Sequence, residues 1–434
     1  MTDILDELAW RGLIAQSTDL DALRETLAQG QAAVYCGFDP TARSLHVGNL
    51  VPLLILRRFQ LAGHRPIALA GGATGMIGDP SGRASERVLQ TLDVIGQNVQ
   101  AISGQLERFL DFDDGPNGAK LADNLDWLAP MSAIDFLRDV GKHFPVNTML
   151  AKDSVRSRLD AGGLSYTEFS YMLLQSYDFL ELLRREGCSI QVGGSDQWGN
   201  ITAGIDLIRR TEGRPAHGLT VPLVTSATGE KFGKSTGGGS LWLDPELTSP
   251  YAFYQYWINT DDRDVEQYLK KLTFLGREEI EAVVAQGVER PQDRIGQRRL
   301  AQELTTLVHG QAETDAVEAA SQALFSRDGD LSVIEERALA GALAELPGMH
   351  VDLGAAPSLV DLLTGTGLYA SKGEVRRAVA QGGAYVNNER VTDADAAVPE
   401  QAWLHGRFLV LRKGRRSLAA VTRGGSRDNE QSNG

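Results

Sequence analysis

Several short stretches of the chain combine residue types that could bind or transfer phosphate. His46-Val47-Gly48-Asn49 follows an apolar run and opens a helical pattern. A helix N-terminus offers free N–H donors and the positive end of a dipole, so it favours phosphate. His46 can donate to a phosphate oxygen, and Gly48 lets a nucleotide approach the backbone; a surface histidine capping a helix has the same pattern. Lys231-Phe232-Gly233-Lys234-Ser235 lies among glycines at 229, 233 and 237–239. Two lysines on such a loop can close over a polyphosphate and balance charge that builds in a transition state. A solvated basic loop would read the same way.

Three other stretches suit a small polar ligand. Tyr171, Gln175 and Asp178 stand at i, i+4 and i+7, hence on one face of a long apolar helix at 167–186. A carboxylate and an amide buried there need hydrogen bonds, either from the core or from a ligand. Gly193-Gly194-Ser195-Asp196-Gln197-Trp198-Gly199-Asn200 packs glycines against Asp and Gln at a strand end, which suits contact with a sugar or nucleotide, or simply a tight turn. Gly78-Asp79-Pro80-Ser81-Gly82-Arg83, with Arg87 beyond, offers an acid for an ammonium and two arginines for phosphates, or an exposed loop.

The elements that position these residues follow from apolar periodicity. Residues 1–30 read as helical, with Leu5, Leu8, Leu13 and then Leu20, Leu23, Leu27. Ala32 to Phe38 reads as a buried strand before Asp39-Pro40, and His46 to Ala62 as a helix ending at Gly63. Pro66 to Ala70 is a second apolar run before the glycine-rich Gly71 to Gly82. Two strand–turn–helix units in succession predict an open parallel α/β sheet. Ser189 to Val192 reads as a further strand, Ile201 to Arg210 as a helix, and Val221 to Val224 as extended. Pro250 to about Arg327 is mainly helical in pattern. Residues 336–357, rich in Ala, Gly and Pro, read as a linker.

Composition limits the partners. With 434 residues, two to four domains of roughly 100–200 residues are expected. No apolar run approaches the roughly 20 residues of a membrane helix. Met1 to Trp10 is acidic and lacks the features of a secretory signal. Two cysteines, Cys36 and Cys188, make no disulfide framework, no Cys/His cluster has zinc spacing, and a reducing cytoplasm is the expected compartment. Net charge is −14, which repels nucleic acid, but residues 357–423 hold 10 Lys/Arg against 6 Asp/Glu. A polyanion partner should therefore touch that module. Lys372, Arg376 and Arg377 fall on a short helix, Arg390 in the hairpin 386–391, and Arg412, Lys413, Arg415 and Arg416 in a basic run beside a strand. Such residues supply salt-dependent contacts to RNA phosphates, with RNA shape the target, or form a solvated basic face.

Taken in order, these blocks resemble bacterial tyrosyl-tRNA synthetases, class I aminoacyl-tRNA synthetases. Tyr35-Cys36-Gly37-Phe38-Asp39-Pro40-Thr41 running into Leu45 to Leu50 is similar to the family's first signature. Ile77 to Gly82, Tyr171 to Phe179, Gly193 to Asn200 and Lys231 to Ser235 resemble the following ones, and residues 371–391 resemble an S4-type RNA-binding module. The likeness runs from about Leu8 to Thr422. It implies a Rossmann-like nucleotide-binding catalytic domain at 1–226, with a helical dimerisation insertion at about 125–165. A loop and connector at 227–250 leads to an all-helical anticodon-binding domain at 251–335. The linker 336–357, a small α+β S4-like domain at 358–423 and a disordered tail at 424–434 complete the chain.

The resemblance implies that tyrosine attacks the α-phosphate of ATP to give tyrosyl-adenylate, and that the tyrosyl group then passes to the terminal adenosine of tRNA(Tyr). ATP is a substrate, Mg²⁺ accompanies it, and no metal is held by protein ligands; the family is homodimeric. By resemblance, Tyr35 and Asp178 grip the phenol hydroxyl, Tyr171, Gln175 and Asp79 hold the ammonium, and Gln191 and Gln197 lie near the carbonyl. Gly37, Asp39, Gly48, Gly194 and Asp196 line the nucleotide site, Asp196 on the ribose. Thr41, His46 and Asn49 face the phosphates, and Lys231, Lys234, Ser235, Arg83 and Arg87 bind pyrophosphate as it forms. Lys152, Arg156, Arg209 and Arg210 are candidates for the tRNA acceptor stem, or solvated surface charge. The chain departs from the usual pattern in three places: Asn49 replaces a histidine, Phe232-Gly233 is a variant centre of the lysine motif, and Arg83 replaces a lysine, keeping charge but not geometry. A tryptophan-specific relative, a small-molecule nucleotidyltransferase and a non-catalytic RNA-binding descendant are the alternatives. Asp178 facing Tyr35, the C-terminal module, and the presence of His46, Lys231, Lys234 and Asp196 count against them in turn.

Overall fold

The computed structural model describes residues 3–81, 90–161, 163–227, 239–326, 329–352, 357–414 and 417–424. The chain divides into two compact units. One comprises Met1–Leu247 and Thr260–Leu300, the other Thr248–Asn259 and Ala301–Gly434.

The first unit is built on a six-stranded sheet. Its strands are β1 (Gln16–Ser17), β2 (Ala33–Phe38), β3 (Arg65–Ala70), β4 (Lys120–Asp123), β5 (Ile190–Gly194) and β6 (His217–Val221), in the order β1-β6-β5-β2-β3-β4. All pairings are parallel except β1 against β6. β2, β3, β5 and β6 are buried almost throughout, as expected for strands covered on both faces by helices. The strand order reverses direction between β2 and β5. In open α/β sheets that switch point opens a crevice at the carboxyl ends of the strands. A core including Tyr35, Ile67, Trp127, Phe179 and Ile208 fills one face of the sheet.

Helix Tyr166–Glu186 matches its periodicity closely; Ser165 caps it by accepting the Glu168 N–H, and Gly187 stops it in the left-handed region. The helix after His46 begins as a 3-10 turn at Val47–Asn49 and continues as Leu50–Leu61. The helical pattern over 1–30 forms two helices, Ile4–Trp10 and Leu20–Ala28, with β1 between them paired to β6. The extended run expected at 221–224 begins earlier, as β6, and Leu223 is exposed.

The segment 125–165 is a set of short helices, Leu125–Leu128, Ala133–Asp139, Val146–Leu150 and Asp153–Ala161. Arg158 and Glu168, both buried, form an ion pair at 2.8 Å that ties the last of these to helix Tyr166–Glu186. The helices expected as one domain at 251–335 are divided between the units. Helices Asp262–Leu272 and Arg277–Glu289 belong with the sheet, because two buried arginines hold the end of the former. Arg11 donates to the carbonyls of Lys270, Thr273 and Leu275, and Arg58 donates to that of Thr273.

In the second unit, helices Pro250–Ile258, Gln311–Phe325 and Glu336–Ala344 pack together. A five-stranded sheet follows: β7 (Gly348–Val351), β8 (Ala384–Val386), β9 (Glu389–Arg390), β10 (Phe408–Lys413) and β11 (Ser417–Arg423), in the order β7-β11-β10-β8-β9. Within the linker expected at 336–357, the described residues form a helix, Glu336–Ala344, followed by an edge strand, β7, parallel to β11, and 353–356 lie outside the described residues. Its Ala-Gly composition hid both: Ala338, Leu339, Ala342 and Leu343 form a buried helical face. β8 and β9 join through Asn387-Asn388, both with positive φ, as the tightest hairpin turns require.

Removing one partner of a buried ion pair strands the other charge, at a cost of roughly 3–5 kcal/mol, whereas replacing both by apolar groups is often nearly neutral. Arg158→Ala should thus lower the urea midpoint strongly, and Arg158→Ala combined with Glu168→Leu should recover most of the loss. Equal destabilisation in the single and double variants would contradict this account.

Candidate active site

The carboxyl ends of β2, β4 and β5 and one face of helix Tyr166–Glu186 bring most of the described site candidates together. Asp178 on that helix is 1% exposed. Its carboxylate accepts the Trp127 indole N–H at 2.8 Å and the Asn124 side-chain amide at 3.0 Å. Asn124 directly follows β4, and Trp127 lies one turn on. Neither was singled out from the sequence; the signal was a polar Asp123-Asn124 pair at a strand end.

Asn124 is itself fixed. Its oxygen accepts the Ala73 N–H at 2.7 Å, so its nitrogen donates both to Asp178 and to the Thr74 hydroxyl at 2.9 Å. Thr74 donates to Asp39 at 2.9 Å, and Tyr171 donates to the other Asp39 oxygen at 2.8 Å. One continuous chain of hydrogen bonds therefore links Asp178 to Tyr171. Beside it, Gln197 donates to Asp79 at 2.6 Å, and the Asn200 amide donates to Gln175 at 2.9 Å and to Gln197 at 3.3 Å.

Two candidates in this pocket are buried without a side-chain partner among the described residues: the Tyr35 hydroxyl and the Gln191 oxygen. The Tyr35 ring stacks on Phe179 with centroids 5.2 Å apart. Burial raises the Tyr35 hydroxyl pKa well above its ordinary value, and the Asp178 charge adds to it, which sets the two groups near one another. The Tyr171 hydroxyl is raised in the same way, by burial first and then by Asp39, Asp79 and Asp178. Asp196, after β5, is raised by burial and by Asp79. Four carboxylates thus converge on one pocket, a field that favours a cation.

At the start of helix Leu50–Leu61, the His46 Nδ1 accepts the Gly48 N–H at 3.0 Å, and Asn49 accepts the His46 N–H at 3.0 Å. An acceptor Nδ1 in neutral imidazole leaves the proton on Nε2, a donor suited to phosphate oxygen. Gly48 has a reason beyond ligand approach: a Cβ there would meet the His46 ring at 2.8 Å. Asn49, expected towards phosphate, spends its oxygen on this cap, and its amide nitrogen donates to nothing among the described residues. Thr41, Gly37 and His46 are exposed, and Gly194 is half-buried beside Asp196. Lys231, Lys234, Ser235, Arg83 and Arg87 lie outside the described residues. Among the described residues, no group of three His, Cys, Asp or Glu is placed to hold a metal ion.

In the C-terminal module, Lys372 pairs with Asp361, Arg376 with Asp395 and Lys413 with Glu374. Arg377 and Arg390 are exposed, with no ion pair among the described residues. Arg415 and Arg416 lie outside them. Arg412, expected at RNA, is instead buried, 3% exposed, with its guanidinium among carbonyls. Strand alternation sends its side chain to the face opposite Lys413. Of the acceptor-stem candidates, Lys152 donates to Thr202, Arg209 and Arg210 pair with Asp206, and Arg156 is exposed.

The comparisons with known proteins fit this geometry. The family model for tRNA synthetases class I (W and Y) matches residues 27–326. The chain belongs to this family. A second family model, the Tyrosine–tRNA ligase SYY-like C-terminal domain, matches residues 339–421, which takes in most of the segment expected as a linker. Among relatives of this synthetase family, a tyrosine–tRNA ligase of Nocardia farcinica is 59% identical over 428 residues, 98% of this chain and 99% of the relative. One from Mycobacterium bovis is 58% identical over 420 residues, 97% of this chain and 99% of the other. A C-terminally truncated mitochondrial tyrosyl-tRNA synthetase of Aspergillus nidulans superposes with a TM-score of 0.68 at 31% identity, over 75% of this chain and 95% of that one.

Burial pushes the Asp178 carboxyl from 3.8 up to about 7, against the downward pull of its bonds from Asn124 and Trp127. Folding raises this pKa. Between pH about 4 and about 7 the folded chain therefore holds a proton that the unfolded chain has released, and stability falls as pH rises through that window. Asp178→Asn should shrink the difference in denaturation free energy between the two ends of the window. The same difference in parent and variant would mean that Asp178 titrates normally.

Proposed function

We propose that the chain is a tyrosine–tRNA ligase. It activates L-tyrosine with ATP and transfers the tyrosyl group to the 3′-terminal adenosine of tRNA(Tyr). The observation that carries this reading is the buried Asp178, held by Asn124 and Trp127, together with a buried Tyr35 hydroxyl that no described residue pairs, in a chain of this family. A phenol hydroxyl donates to the Asp178 carboxylate and accepts from Tyr35. Tyr171, Gln175 and Asp79 take the ammonium, and Gln191 and Gln197 lie at the carboxylate end. Phenylalanine would leave buried polar groups unpaired, which is how such sites reject it; tyrosine-specific synthetases are themselves the reference example of this rule.

The nucleotide lies over the switch-point crevice, with Asp39, Gly37, Gly48 and Gly194 along it and Asp196 on the ribose. The tyrosine carboxylate oxygen attacks the α-phosphorus, the bond to the bridging oxygen breaks, and pyrophosphate leaves. A ribose hydroxyl of the tRNA then attacks the adenylate carbonyl, and AMP leaves with the bonding pair. No side chain is covalently modified; the chain's contribution is orientation and charge. His46 donates from Nε2 to a phosphate oxygen, with Thr41 and Asn49 beside it. Lys231, Lys234, Ser235, Arg83 and Arg87 carry the pyrophosphate charge. Mg²⁺ would travel with the phosphates, a binding mode usual for this ion.

The C-terminal module supplies RNA contacts through Lys372, Arg376, Arg377, Arg390, Lys413, Arg415 and Arg416. Its ion-paired cations exchange an acidic partner for phosphate. The protein works as a cytoplasmic homodimer. The exposed apolar residues Ile134, Leu137, Val146, Leu150 and Leu159 of the 125–165 segment support an interface there.

Amino-acid-dependent ATP–pyrophosphate exchange, run without tRNA across the standard amino acids, should respond to tyrosine alone. Exchange driven by tryptophan would overturn the pocket assignment, and none at all from folded protein would remove the enzyme reading. Asp178→Ala should lower tyrosine kcat/KM steeply and narrow its margin over phenylalanine. In sedimentation velocity the parent should run as a dimer and Ile134→Asp/Leu137→Asp as a monomer; a monomeric parent would refute the interface.

A further inference from the structure

Arg412 and Asn388 meet on the end of a helix outside their own sheet. The last carbonyls of any α-helix lack intrahelical donors and carry partial negative charge. At the end of helix Gln311–Phe325 those carbonyls are taken by the C-terminal module. Arg412 donates to the Leu324 carbonyl at 2.5 Å and the Ser326 carbonyl at 3.1 Å, and also to the Asn388 side-chain oxygen at 2.6 Å. With its oxygen so oriented, the Asn388 amide donates to the Ala323 carbonyl at 3.1 Å and the Gly329 carbonyl at 2.8 Å. Asn388 can do this because it is the second of the two left-handed residues of the β8–β9 turn, with φ of 67°. Gly329 packs so closely on the helix end that a Cβ would fall 2.6 Å from the Ala323 carbonyl.

We propose that Arg412 and Asn388 are positioning residues for tRNA: a clamp that fixes the module's orientation on helix Gln311–Phe325, and with it the place where the exposed cations meet RNA. This rests on the reading of the module as tRNA-binding. All three acceptors gather around one guanidinium nitrogen, Nη2, which lies one bond further from the backbone than a lysine ammonium reaches. The clamp is not the module's sole attachment. β7 runs into its sheet, His405 bonds the Ile334 carbonyl at 2.8 Å, and Arg407 pairs with Glu336 at 3.0 Å. Loss of the clamp therefore frees orientation without releasing the module. Its effect falls on the ordering that tRNA binding must supply, not on the chemical step.

The test uses the full-length protein with Arg412→Lys, Asn388→Gly and, as a reference, Arg377→Glu. Glycine keeps the left-handed turn and removes only the amide. In aminoacylation, both clamp variants should raise KM for tRNA about tenfold with kcat near the parent's, and leave tyrosine-dependent pyrophosphate exchange unchanged. A raised KM in Arg412→Lys with none in Asn388→Gly would overturn the clamp, since a direct phosphate contact has no need of Asn388. Parental KM in both, with a raised KM in Arg377→Glu, would also overturn it while sparing the module's role. Parental KM in all three would refute tRNA binding by the module itself.

Discussion

The constraint on which the pocket depends is a carboxyl group, Asp178, buried to 1% exposure. Asp178 can stay there because Trp127 and Asn124 both donate to it, and each demand passes outward. Asn124 must be oriented by the Ala73 backbone, its second hydrogen must find Thr74, and Thr74 must find Asp39. Buried polar networks are stabilising only when every member is satisfied. The loops after β2, β3 and β4 are therefore held at one mutual geometry by side-chain hydrogen bonds, as well as by the sheet beneath them.

Against that satisfied network stand Tyr35 and Gln191, buried in the same pocket with polar atoms that the described protein does not pair. The asymmetry suits a site whose specificity comes from its own unpaired groups. The carboxylates that suit an ammonium oppose the phosphates of a nucleotide. On the proposed function the carboxylates serve the amino acid, and the His46 Nε2–H with the lysines and arginines of the basic motifs serve the triphosphate.

The C-terminal module repeats the lesson that charge is read by its surroundings. Arg412 and Lys413 are consecutive and equally basic, yet one caps a helix end in the protein interior and the other pairs with Glu374 over the Tyr369 ring. A strand's two-residue period places them on opposite faces. An overall charge of −14 is likewise no guide to the module's partner, because residues 357–423 hold 10 Lys/Arg against 6 Asp/Glu while the chain as a whole is acidic.

The sequence by itself determined the parallel α/β class, the long helix Tyr166–Glu186, the glycine-rich turns and the order of the chemical motifs. These are written in local periodicity and in residue types whose chemistry is independent of context. Tertiary structure alone decided the rest. It set Asn124 and Trp127 on Asp178, because hydrogen bonds between residues fifty positions apart leave no local pattern. It turned the expected linker into a helix and an edge strand, because weakly apolar segments take their structure from the surface they pair with. It drew helices Asp262–Leu272 and Arg277–Glu289 to the sheet through Arg11 and Arg58, and it moved Arg412 from the RNA face to the interior. In each case the deciding partner is distant in sequence, and burial, which fixes the value of every polar contact, exists only once the chain has folded.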